Sequence, residues 1–267
     1  ADPIELAADA TYWITGGMGA IGRQTAQWLI AQGAHHLVLS GRSKIDAAGE
    51  AAIREFQNLG AEVTYMSMDV TDAAAVVAFL DTAESEGHPV RGIIHAAGVK
   101  LNQPLAEVTP ASMAKVLRPK VEGGRVLHES TISRELDFLV FFSSIASVWG
   151  SEVQLQYSAA NRYLDTLARL RHGTGLAATT LNWGPWAGGG MANQNEQALL
   201  QRMGITALDS ATHLSFLGAA LAAGQAQHVI ARVDWDKLRG LIEMQRPKPL
   251  LSELGRANDQ AAADTTS

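Results

Sequence analysis

Three hydroxyls, a phenol, a carboxamide and an amine stand in an order that suits proton transfer to a carbonyl. The run "FFSSIAS" puts Ser143, Ser144 and Ser147 at the end of an apolar segment, and Tyr157 follows Ser144 by thirteen residues. Asn161 lies one helical turn beyond Tyr157 and faces the same way. A Ser hydroxyl, a Tyr phenol and an amide can then converge on one oxygen as it takes up negative charge. A phenol with a pKa of about 10 is a poor acid at neutral pH, and a nearby cation would strengthen it. In "YSAAN" the place four residues after the Tyr holds Asn rather than Lys. The amine must come from elsewhere, and "VLRPKVEGG" offers Lys120 in the helix before the strand that ends at Ser144. One ammonium about 5 Å away, at an effective dielectric of about 20, is worth roughly 3 kcal/mol, or about two pKa units. A Tyr on a helix is also a common packing residue, and a Ser pair after a strand a common helix cap.

Positioning such a set needs strands and helices in alternation. "TYWITG" at 11–16, "HLVLSG" at 36–41, "VTYMSMD" at 63–69, "GIIHAAG" at 92–98, "DFLVFFSS" at 137–144, "ATTLNWG" at 178–184 and "HVIARVDW" at 228–235 read as strands buried on both faces. Between them, segments such as "AIGRQTAQWLIAQG" and "DAAGEAAIREFQNLG" repeat apolar residues at helical spacing and close on Gly. The predicted fold class is α/β: a Rossmann-like, doubly wound parallel sheet of about seven strands with helices on both faces, binding ligands beyond the carboxyl ends of its strands. Residues 1–252 read as one catalytic domain and 253–267, small and polar, as a disordered linker. "WAGGGMANQNEQALLQRMG" sets three glycines before an amphipathic stretch, which suits either a mobile flap over a site or a flexible surface loop.

The first strand-to-helix turn, "ITGGMGAIG", carries Thr15, Gly16, Gly17, Met18, Gly19, Ile21 and Gly22. Glycines there permit a tight turn and close approach to a pyrophosphate, which the helix N-terminus attracts. The second strand ends in "LSGRS", with Ser40 and Arg42 where a carboxylate would select NAD. Arg42 favours the 2′-phosphate of NADPH, unless it is simply a residue of the solvated rim. Asp69, followed by Val70, could accept from an adenine amino group or cap the next helix. In "HAAG" the small Ala96, Ala97 and Gly98 let the chain run beneath a cofactor, and His95 reads as structural. His35, His36 and His128 have no arranged partners and read as solvent-facing or core-satisfying.

Composition bounds the rest. Of 267 residues, 47% are hydrophobic and 18% charged, ordinary for a packed globular chain. A net charge of -6 without a basic run gives no footprint for nucleic acid or an anionic membrane. The absence of Cys excludes disulfides and Cys-based metal sites, and no metal is expected. No bilayer-length apolar stretch or secretory leader is visible, so a cytoplasmic location is the default reading.

Taken together, "TGGMGAIG", "HAAGV", "RPKVEGG", "FFSSIASVWGS", "YSAANRYLD", "LNWGPWAGGGMA" and "VDW" resemble the ketoreductase domain of modular type I polyketide synthases, a branch of the short-chain dehydrogenase/reductases. The likeness runs from about residue 11 to 236. In that family the Lys and Asn of the usual short-chain tetrad exchange sequence positions while keeping their places around the Tyr. The resemblance therefore implies a catalytic tetrad of Lys120, Ser144, Tyr157 and Asn161, with Asn161 ordering water or backbone around the Lys. It implies NADPH as cofactor, with Pro185 and Trp186 among its contacts, and Met191 with Trp149 and Gln154 on the substrate side. It also implies reduction of a β-ketoacyl group on the phosphopantetheine of an acyl carrier protein. Trp149, eight residues before Tyr157, and Gln154, three before it, match the A-type pattern without α-epimerisation. "GVKLNQP" lacks the "LDD" of the opposite type, so an L-hydroxyl is expected. Complete domains of the family carry a cofactor-less structural half upstream, so the sequence reads as the catalytic half alone or as a crop of a longer polypeptide. The alternatives are a free-standing NADPH-dependent carbonyl reductase and a redox-silent docking or structural domain.

Overall fold

Continuous apolar runs bury both faces of their strands, and such strands pair in parallel because helical crossovers cover each side. The computed structural model describes residues 5–151, 153–244, 247 and 249–254. In chain order β1 (Thr11–Thr15), α1 (Ala20–Ala31), β2 (His36–Gly41), α2 (Ala47–Asn58), β3 (Glu62–Ser67) and α3 (Ala73–Ser85) are followed by β4 (Val90–His95) and α4 (Pro110–Thr131). Then come β5 (Phe138–Ser144), the short α5 (Ala146–Trp149), α6 (Leu155–Gly173), β6 (Thr179–Trp183), α7 (Gln194–Arg202) and β7 (Ile205–Thr206). The last are α8 (Ser210–Ala223), β8 (Gln227–Ile230), β9 (Arg232–Val233) and α9 (Trp235–Glu243).

Seven strands form one sheet in the order β3-β2-β1-β4-β5-β6-β8. Every neighbouring pair in it is parallel. The order reverses between β1 and β4, which opens a crevice at the carboxyl ends of those strands. Helices cover the sheet through apolar stripes: α1 buries Gly22, Thr25, Ala26 and Leu29, the i, i+3, i+4, i+7 positions of one face. Between sheet and helices, Trp13 meets Phe79 edge-on at 5.1 Å and joins Leu80, Leu127, Phe141 and Leu164 in the core. Side-chain caps set where helices begin: Asp46 accepts from Gly49 N at 2.8 Å, and Thr109 forms a capping box with Ser112 ahead of Pro110.

The chain divides into two compact units, Ala1–Trp183 with Ser210–Ile230, and Gly184–Asp209 with Ala231–Ser267. The expected final strand over 228–235 splits at this division. Gln227–Ile230 completes the large sheet, whereas Arg232–Val233 pairs antiparallel with β7 in the second unit. Asp234 then stops that strand by accepting from Lys237 N at 3.1 Å and opening α9. The amphipathic stretch after the three glycines forms α7, begun by an Asn193–Glu196 capping box. Of the predicted linker, residues 255–267 lie outside the described residues. Among the described residues, no helix is long and apolar enough to cross a membrane.

Three expectations need correction. The cap of α3 is Asp72, which accepts from Ala75 N at 3.1 Å, so Asp69 is free of that duty. His36 does have partners: its ring lies 4.0 Å from that of His88, and its Nδ1 is 3.3 Å from Glu62. His128 Nδ1 meets the buried Arg171 guanidinium at 3.1 Å. Both partnerships join residues far apart in sequence, which local spacing does not report. His35 is exposed, as expected.

The turn between β1 and α1 has no spare volume. A Cβ on Gly22 would lie 2.5 Å from Gly16 O and 2.7 Å from Gly17 Cα, both backbone atoms that cannot rotate away. Gly22→Ala should therefore strain the fold by roughly 1–3 kcal/mol and lower Tm by several degrees in a thermal melt.

Candidate active site

Beyond the carboxyl ends of β1 to β4 lies a cleft of about 340 Å³ whose lining includes Thr15, Gly16, Ser40, Arg42, Asp69, Val70, Ala97 and Gly98. Gly16 shapes its floor: its φ is +69°, and a Cβ there would sit 2.9 Å from the Ala97 backbone. Only glycine fits that conformation and that gap. Gly19 precedes α1 with no side-chain cap, which leaves the first N–H groups of the helix available to an anion. Met18 O holds the Arg23 side chain at 3.0 Å, Ile21 is half-buried in the first turn of α1, and Gly17 packs against Leu39. Ala96 N bonds to Thr15 O at 3.1 Å, which brings the "HAAG" loop against the glycine turn. Ser40 lines the cleft, while its hydroxyl accepts from the Trp13 indole at 2.9 Å and its carbonyl from Gly16 N at 2.7 Å. Arg42 is exposed at the end of β2, and no carboxylate belongs to the "LSGRS" run beside it. A turn without room for Cβ atoms, an uncapped helix start and a rim arginine fit a phosphorylated dinucleotide.

Asp69 lies two residues beyond β3, where burial and hydrogen bonding act on its carboxyl in opposite directions. Burial acts to raise its carboxyl, but bonds from Thr71 N and Oγ1, at 3.0 and 2.8 Å, and the charge of Arg118 outweigh it. The carboxyl is held below the ordinary Asp range. Arg118 lies 3.1 Å from Asp69 Oδ2, and Lys115 lines the same cleft from the same helix. Sequence reasoning missed both. Their signal was present in α4, where residues 115 and 118, three apart, share a face.

At the end of β5 the structure brings Ser144, Tyr157 and Asn161 together. Burial pushes the Tyr157 phenol up, and hydrogen bonding from Asn161 and Ser144 pulls it down without cancelling the rise. Asn161 Nδ2 donates to the Tyr157 carbonyl at 2.8 Å, and its Oδ1 is buried without a partner among the described residues. Ser144 Oγ also accepts from Ala146 N at 3.2 Å, so it begins α5 as well as facing the phenol. Ser143 points inward and is buried, and Ser147 donates to the buried Asp165 at 2.7 Å.

Lys120 is 3% exposed. Its ammonium donates to the Phe142 carbonyl at 2.7 Å, two residues before Ser144 on β5, and this is the hydrogen bond recorded for it. That carbonyl belongs to the strand that carries Ser144, so the amine is held at the same strand end as the expected tetrad. Burial lowers its pKa to about 8, with Asp165 acting the other way. The glycines that follow let α4 approach closely, since a Cβ on Gly124 would be 2.9 Å from Leu164 Cδ2 of α6. His95 is buried, with Nδ1 2.7 Å from Thr15 Oγ1. Burial first, and the Lys120 charge second, push its pKa to about 3, while the Pro119 carbonyl opposes weakly. A neutral, enclosed imidazole agrees with a structural role.

Trp149 closes α5 and is half-buried, and Gln154 caps α6, with its Nε2 donating to Asn102 at 2.9 Å. That bond ties the "GVKLNQP" loop to the segment leading into Tyr157. Pro185, Trp186 and Met191 belong to the second unit, where the Pro185 carbonyl accepts from Leu208 N at 3.1 Å. The Trp186 carbonyl accepts from Gln197 Nε2 at 3.1 Å, and Met191 is 40% exposed.

Comparison with known proteins gives this geometry its family. Polyketide synthase GfsA of Streptomyces halstedii is 41% identical over 254 residues, which is 94% of this chain and 3% of that protein. A structure of an A1-type ketoreductase matches with a TM-score of 0.89 and 36% identity, covering 94% of this chain and 53% of the other. The first-module ketoreductase of phoslactomycin biosynthesis in Streptomyces sp. HK803 matches at 0.84 and 34%, covering 90% and 56%. The chain thus spans a small part of its curated relatives and about half of these solved chains. The KR-domain family model matches residues 10–188. This chain belongs to that family, the ketoreductase domains of modular polyketide synthases.

Proposed function

We propose that this domain reduces the β-carbonyl of an acyl thioester held on the phosphopantetheine arm of an acyl carrier protein, with NADPH as reductant and an L-configured alcohol as product. The observation that supports it most is the meeting of Ser144, Tyr157 and Asn161 at the end of β5, with a buried ammonium bonded to the Phe142 carbonyl of the same strand. Bound NADPH supplies the hydride. Tyr157 transfers its phenolic proton to the substrate oxygen, and the Ser144 hydroxyl donates to that oxygen as its charge grows. Lys120 contributes positive charge from beside β5, which lowers the cost of leaving a phenolate. Asn161 fixes the turn of α6 that carries the phenol and offers its Oδ1 to the site.

The turn from Thr15 to Gly22 holds the pyrophosphate, and Arg42 the 2′-phosphate, with Ser40 beneath it. Asp69, with Val70 beside it, keeps an acceptor for the adenine amino group because Arg118 and Thr71 hold its carboxyl ionised. Ala96, Ala97 and Gly98 underlie the nicotinamide side. Trp149 and Gln154 guide the acyl chain. The A1-type relative supports the L configuration, as does the Gln154 bond to Asn102 in place of an acidic loop.

Three measurements test this reading. With a β-ketoacyl thioester surrogate, Tyr157→Phe should lower kcat for NADPH oxidation by about 100-fold or more, and chiral analysis should find the L-alcohol; undiminished turnover overturns the proton-donor role, and a D-product the stereochemical one. Arg42→Ala should raise KM for NADPH about 10- to 100-fold while sparing NADH, as expected for loss of a charge-assisted pair to phosphate. Because the ammonium acts only when protonated, kcat/KM should be highest below, and fall as pH rises through, about 8, the value to which burial lowers Lys120. Lys120→Met should remove that alkaline limb together with most of the activity.

A further inference from the structure

Behind the site lies a carboxylate to which no role has yet been given. Asp165 is fully buried on α6, one turn beyond Asn161 and two beyond Tyr157. Its oxygens accept from Ser147 Oγ at 2.7 Å, Thr180 Oγ1 at 2.9 Å, and Asn182 Nδ2 at 2.9 and 3.0 Å. Every donor is neutral. The orientation of Asn182 is fixed from its other end, where its Oδ1 accepts from Gln227 Nε2 of β8 at 2.7 Å. Asn182 Nδ2 also reaches Ser143 Oγ at 3.0 Å, and Ser143 adjoins Phe142, whose carbonyl takes the Lys120 ammonium. A buried carboxyl group and a buried amine are therefore linked through one set of polar groups, each hydrogen-bonded to neutral partners and neither in an ion pair among the described residues.

Isolated buried charges are expensive, and hydrogen bonds from neutral groups offset only part of that. Two opposite charges in one dry layer compensate each other even without contact, because the interior screens them weakly. We propose that Asp165 is a positioning residue for the reduction: its carboxylate, fixed by Ser147, Thr180 and Asn182, is the counter-charge of the Lys120 ammonium behind the Tyr157–Ser144 pair. This inference rests on the role given to Lys120 above. The titratable groups on the elements packed around that ammonium are His95 of β4 and, on the inward face of α6, Tyr157 and Asp165. His95 is neutral in the working range, at about 3, and the phenol is raised, so the charge acting on Lys120 is that of Asp165.

The sign of the effect follows. Burial alone disfavours the ammonium, and Asp165 opposes it. In Asp165→Asn, Lys120 should lose its proton at lower pH, and the alkaline limb of kcat/KM should move down by about one pH unit or more, with about fivefold loss at pH 8, about tenfold above it, and recovery at lower pH. In the Lys120→Met background, Asp165→Asn should add no further loss in kcat/KM, and the double variant should melt higher than Asp165→Asn alone, since removing both charges leaves none uncompensated. A limb that stays in place, or an equal loss in both backgrounds, overturns the proposal. If Asp165→Asn does not fold, the double variant decides: a folded protein supports the pairing, and an unfolded one overturns it. If Lys120→Met itself keeps the parent rate and pH profile, the reading of Lys120 fails. A damaged Lys120→Met beside an Asp165→Asn with the parent profile sinks only the role of Asp165.

Discussion

The site depends on keeping an ammonium where water cannot reach it. Lys120 is almost wholly enclosed, its pKa lowered by burial, and yet its donors are aimed at a strand carbonyl rather than left open. Such a group is tolerated only with compensating partners, and much of the surrounding architecture can be read as that compensation. Gly123 and Gly124 let α4 press against β4 and α6: a Cβ on the first would be 3.3 Å from His95 Cε1, and on the second 2.9 Å from Leu164. The strand supplies Phe142 O, and α6 supplies a buried carboxylate. Removing the close approach would lengthen the reach that a side chain of fixed length must cover.

The cofactor cleft uses charge differently, at the surface and with partial screening. Arg42, Lys115 and Arg118 surround it, and one of them is already engaged by Asp69. An exposed ion pair of this kind contributes little to stability. Its effect is on the state of Asp69, which is held ionised and oriented by Arg118 and Thr71 together. The glycine turn then contributes shape rather than charge, because its backbone is already in contact with Ala97 and Ser40.

The two halves meet at the reversal of strand order. β1 and β2 lead into the glycine turn and Arg42, and β4 and β5 into the "HAAG" loop and Ser144, with His95 and Thr15 joined across the boundary at 2.7 Å. A neutral imidazole in that bond fixes the two strand ends without placing a second charge next to Lys120. His95 is therefore better understood as a spacer between two electrostatic environments than as a proton carrier.

The sequence alone determined the alternation of strands and helices, the glycine turn and the residues at the strand ends. All of these follow from local periodicity or from motifs a few residues long, where neighbours in the chain are neighbours in space. It also placed Ser144, Tyr157 and Asn161 on adjoining elements, because spacing on a helix fixes facing. Tertiary structure decided what those groups touch. The Lys120 partner is 22 residues away, the Asp165–Asn182 bond spans 17, and the Arg118–Asp69 pair spans 49. Only the packing of α4 and α6 on the sheet determines which buried polar groups meet, and in a dry interior that meeting decides whether a charge can persist.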